Sequence, residues 1–144
     1  MPWYGIFGLA LLAAPRAVLH DLQVIEEGTA LNAVLVFVPP VIWVVTALAL
    51  NVRRPVLTLT AVGAAYGIIL ALVHLILWNV NLGPDVRLGG NLADLPPLAH
   101  AIILRGAQVI SGLVTGVLVG AVTGVIAEGL LAAGRRLSRR LSRR

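Results

Sequence analysis

The chain has no cysteine, no lysine and a single methionine, and only 12% of its 144 residues are charged. Without thiols there is no disulfide, no thiolate nucleophile and no cysteine-based zinc or iron–sulfur centre. Charge is also missing in long blocks. Gly28–Val52, Pro55–Pro84 and Gly106–Ala127 carry no Asp, Glu or Arg. No Ser-His-Asp order or paired-carboxylate spacing is present, and Gly89-Gly90-Asn91 alone does not make a phosphate cradle. The sequence therefore predicts neither an enzyme nor a bound cofactor.

What is present is apolar: 59% of residues, with a mean hydropathy of +0.97. A water-soluble domain of this length needs more polar surface than that leaves. About 20 apolar residues let an α-helix cross a hydrocarbon core of about 30 Å. The pattern predicts an all-α integral membrane protein, a four-helix transmembrane bundle over residues 1–134. Three spans are clear, at about 29–51, 55–79 and 105–131, with a long loop at 80–104. A fourth, at about 3–22, is apolar from Trp3 to Ala14, is interrupted by Pro15, and continues through Val18, Leu19 and Leu22. It spans if Arg16 snorkels toward the headgroups. In the loop, Gly83-Pro84-Asp85, Gly89-Gly90-Asn91 and Pro96-Pro97 are breakers, and Asp94 is placed to cap a helix with Pro97 in its first turn.

The arginines then set direction. Arg53 and Arg54 form one cluster; residues 135–144 form a basic tail with Arg135, Arg136, Arg139, Arg140, Arg143 and Arg144. Two crossings separate the clusters, so the positive-inside rule puts both on the cytoplasmic side, together with both termini. Arg16, Arg87 and Arg105 remain outside with Asp21, Glu26, Glu27, Asp85 and Asp94. The reading is a multi-pass protein of the bacterial cytoplasmic membrane, with Arg53, Arg54 and the tail arginines against anionic headgroups. The pI of about 11.4 comes from that tail, so nucleic acid is not an expected partner.

Gly112, Gly116, Gly120 and Gly124 recur every four residues in the last span, and Gly63, Gly67 and Ala71 make a second small-residue ridge. Such glycine-zipper patterns let helix backbones approach closely. The last-span ridge drifts roughly 40° per step, so one partner is expected to use two or three of its glycines. The two ridges either pack together within one chain or join copies in a homo-oligomer. Pro39 and Pro40 remove two backbone donors and predict a kink in the second span.

His74 is the only titratable group well inside the third span, and an ionisable residue at that depth is a functional candidate. Gln108 or Ser111 is its expected hydrogen-bond partner. His20, Asp21, His74 and His100 all fall on the outer side, but no HxxxH or HExxH spacing links them, and no metal is expected. Glu128 ends the glycine ridge and either pairs with Arg135 or carries a proton or cation. The leading expectation is action through helix–helix association with itself or a membrane partner. The alternative is an oligomeric channel or transporter for a small ion or solute, with His74 and Glu128 as the residues to test.

Overall fold

The computed structural model describes residues 1–83 and 86–142, with the Asn81 side chain also left out. Pro84-Asp85 of the expected turn and the final Arg143-Arg144 lie outside the described residues. The chain is all-helical, with no strand among the described residues. Its elements are α1 (Trp3–Leu11), α2 (Ala14–Asp21), α3 (Ala30–Ala49), α4 (Pro55–Ile76), the short α5 (Trp78–Asn81), a 3₁₀ turn (Gly90–Leu92) and α6 (Pro97–Leu141). Four units are long and apolar enough to cross a membrane: Trp3–Asp21, α3, α4 and α6.

The first unit is two helices. Pro15 stands in the first turn of α2, where its missing N–H matters least, and the chain breaks at Leu12-Ala13. At the break the Leu9 carbonyl loses its i+4 donor and keeps only a long bond from the Leu12 N–H at 3.3 Å, and the indole Nε1–H of the fully buried Trp43 donates to it at 2.8 Å. One hydrogen bond thus pins α1 to α3. Trp43 also meets Tyr66 of α4 edge-on, with ring centroids 6.1 Å apart.

Thr29 caps α3, its hydroxyl accepting from the Asn32 N–H at 3.2 Å. The helix then runs through Pro39-Pro40 without interruption, although the Leu35 and Val36 carbonyls lose their usual i+4 donors. Asn51, at φ 45°, ends α3 in a left-handed turn closed by Val52 N–H to the Ala47 carbonyl at 3.0 Å. Gln23, at φ 57°, ends α2 in the same way, with Val24 N–H on the Leu19 carbonyl at 3.0 Å.

The last helix begins earlier and runs on later than the charge pattern implies. At 45 residues it is roughly 68 Å long, because nothing between Pro97 and Ser142 breaks it. Pro96, not Asp94, occupies its N-cap position, and no side chain caps it. Its basic end, with Arg135, Arg136, Arg139 and Arg140 exposed, suits the negative end of the helix dipole.

α4 is the central helix. Leu59 and Val62 are wholly buried, and α1, α2, α3, α5 and α6 all touch it. Against α6 it presents Pro55, Leu59, Gly63, Gly67 and Ala71, a row with the same four-residue spacing as the α6 glycines. The helices run antiparallel. Gly112 faces Gly67 and Ala71, Gly116 faces Gly63 and Gly67, Gly120 faces Leu59 and Gly63, and Gly124 faces Val56. All four glycines therefore meet one partner, more than the drift of a single ridge implies. Both ridges drift together, so neither turns away.

Candidate functional site

The helices leave two ends: a loop end, with connections 22–29 and 77–96, and an arginine end, with Arg53-Arg54 and the tail. At the loop end, Asp21 closes the last turn of α2 and has no exposed surface. Its Oδ2 lies 2.5 Å from Nδ1 of His74, in the penultimate stretch of α4. That separation requires a proton between the two atoms. Oδ1 lies 3.5 Å from Nδ1 of His20, whose Nε2 is 3.4 Å from Oε1 of Glu27. These two are ion-pair separations rather than short hydrogen bonds. Glu27 is 79% exposed, so the four groups descend stepwise from solvent to a buried carboxylate and on to α4.

Local structure explains the placement. The left-handed turn at Gln23 stops α2 directly after Asp21 and swings the chain toward Thr29. A carboxylate at the negative end of a helix is disfavoured on its own. A hydrogen bond with His74 of α4 provides compensation, and His20 of its own helix lies beside it.

About one and a half turns deeper in α2, Arg16 points inward instead of snorkelling out. Its Nε donates to Oδ1 of Asn32 at 3.3 Å, and it also hydrogen-bonds the Tyr66 side chain. A cavity of about 170 Å³ adjoins it; its lining includes Arg16, Tyr66 and Thr115 together with the apolar Leu35, Val36, Trp43 and Val119.

Several expected site residues lie elsewhere. His100 is buried, but its Nδ1 accepts from the Leu88 N–H at 3.0 Å, so it takes no part in the His20–Asp21–His74 group. It lines a separate pocket of about 280 Å³ with Arg87, Trp78 and Arg105, whose guanidinium lies 5.4 Å from the Trp78 ring centre. No group of three His, Cys, Asp or Glu with metal-holding geometry occurs among the described residues. The His74 partner is Asp21, not Gln108 or Ser111; the Gln108 side-chain oxygen is buried without a hydrogen bond. Glu128 is exposed and makes no ion pair among the described residues. Pro39 is buried, while Pro40 lines both the 170 Å³ cavity and a wider apolar groove of about 670 Å³ between α3 and α6. That groove offers no free polar group: the Thr123 hydroxyl is bound to the Val119 and Gly120 carbonyls of its own helix.

No protein-family model, curated protein or solved structure matches the chain.

The sequence reading finds His74 by its depth, and Asp21 by the side it falls on, but not their contact. It also misses Arg16 and Tyr66 as site residues. A signal existed: an arginine five residues before the only acid of the first unit, on a helix whose remaining face is apolar.

Proposed function

We propose that the chain is a four-helix transmembrane protein of the bacterial cytoplasmic membrane, with its arginine end in the cytoplasm, and that it passes protons between the outer aqueous phase and its interior as part of small-solute transport. One observation carries this reading: a wholly buried Asp21 bridges His20 and His74, and the row ends at the exposed Glu27. Buried ionisable groups at membrane depth are expensive and recur in proton relays. Carboxylate and imidazole alternate along this row, each able to accept a proton from one neighbour and give it to the next.

Helix–helix association is less well supported as the primary role. The Gly112–Gly124 ridge lies against α4 of the same chain and is not open to a second copy. The test is proton flux. Protein reconstituted in liposomes with an internal pH-sensitive dye is expected to acidify the lumen under an imposed potential, faster than empty liposomes. Asp21→Asn, which keeps the shape of the side chain, is expected to remove that excess. Wild-type flux equal to that of empty liposomes would sink the proposal.

A further inference from the structure

Arg16 is a half-buried cation with no ion pair among the described residues, bonded toward α3 and α4. Its partners, Asn32 and Tyr66, are neutral, so they satisfy hydrogen bonds and leave the charge uncompensated. An isolated charge at membrane depth calls for a counter-charge or a water-filled route. No carboxylate of the described chain supplies one, and a cavity adjoins the guanidinium.

The shape and lining of that cavity narrow the occupant. At about 170 Å³ it is close to the size that holds a benzene-sized molecule, about six heavy atoms. Arg16, Tyr66 and Thr115 bring polar groups to its lining; the other lining residues, Leu35, Val36, Val119 and the Trp43 ring among them, are apolar, and the Trp43 N–H is already bound to the Leu9 carbonyl. A halide would leave the aliphatic part empty. A phosphate or sulfate would set polar oxygens against it without partners. A guanidinium matches a planar carboxylate through parallel N–H donors, whereas a hydrocarbon stub suits Leu35, Val36 and Val119.

We propose that this cavity binds a short-chain monocarboxylate, with its carboxylate on Arg16 and its hydrocarbon part against Leu35, Val36 and Val119. The role of that ligand as a transported substrate rests on the proton-transfer reading above. The proton row lies in the same helix, roughly 8 Å farther along α2, so one helix would hold both the carboxylate and the proton path.

The test is equilibrium dialysis of radiolabelled butyrate against the full chain in phosphatidylcholine nanodiscs. Wild type is expected to bind saturably at one site per chain. Arg16→Gln is expected to weaken binding roughly tenfold or more, given the strength of charge-assisted pairs. Val119→Trp, which fills the cavity and keeps Arg16, is expected to abolish binding with helicity unchanged by circular dichroism; it decides the matter if Arg16→Gln misfolds. No saturable binding, binding retained in a folded Val119→Trp, or butyrate displaced equally well by chloride would overturn the assignment. Butyrate binding without proton flux supports the site and removes the transport reading. Proton flux without butyrate binding does the reverse.

Discussion

Asp21 and Trp43 show how single side chains hold this fold where the backbone alone does not. Asp21, with no exposed surface, is hydrogen-bonded to His74 and lies within ion-pair distance of His20, so removing its oxygens takes away the partner of a half-buried imidazole. Asp21→Ala is expected to cost about 1–3 kcal/mol in denaturant unfolding in detergent. Asp21→Asn retains an acceptor and is expected to cost less, while both variants lose proton flux. That contrast separates holding α2 on α4 from passing a proton. At the other site, Trp43→Phe keeps the ring against Tyr66 but takes the donor from the Leu9 carbonyl. A loss of about 1–3 kcal/mol is expected by the same assay. Residue-scale legibility is partial. His74 stands out because an imidazole amid apolar residues is conspicuous. Its partner lies 53 positions away, at the end of a helix that starts beside Pro15 and stops at the turn at Gln23.

Among the elements, the α4–α6 pair is the tightest and the most sensitive to change. A Cβ on Gly63 would lie 2.1 Å from the Gly116 carbonyl oxygen, and one on Gly116 or Gly120 would lie 2.3 Å from the oxygen of Gly63 or Leu59. These contacts are with backbone, so no rotamer change relieves them. Gly116→Ala and Gly120→Ala are expected to lower the thermal midpoint strongly, whereas Gly106→Ala and Gly129→Ala, which meet open space, leave it unchanged or raise it. Gly112→Ala should fall between, since its nearest neighbour would be 3.3 Å away. Light scattering beside the melting curves checks the arrangement: the variants lose stability without a stepwise change in particle mass, because the ridge lies inside one chain. The spacing of these glycines is plain in the sequence, as is their fitness for close packing. That Pro55 and Leu59 extend the opposing row is not, because a proline and a leucine do not read as small.

On the scale of the whole molecule, the distribution of charge should govern orientation. Arg53, Arg54 and the arginines of the α6 tail lie toward one end, while Glu27, His20 and Asp21 lie toward the other. The natural absence of cysteine makes the check direct, since any introduced thiol is unique. In intact spheroplasts, Glu27→Cys is expected to react with a membrane-impermeant maleimide, and Ser142→Cys is expected to react only after permeabilisation. The opposite pattern would invert the topology and turn the Glu27 end of the proton row toward the cytoplasm.

The sequence by itself determined that there are four helices long and apolar enough to cross a membrane, and where helices could pack closely. Those properties depend on local composition and period: an uncharged run of that length is helical in hydrocarbon, and a four-residue glycine row admits a close neighbour. The tertiary structure alone decided which neighbour that is, that Asp21 joins His20 to His74 while His100 turns to Leu88, and that Arg16 faces an inner cavity. Such pairings depend on the rotation of each helix about its axis. Rotation is set by the packing of all the helices at once, with Trp43, the α4–α6 ridges and the left-handed turns acting together.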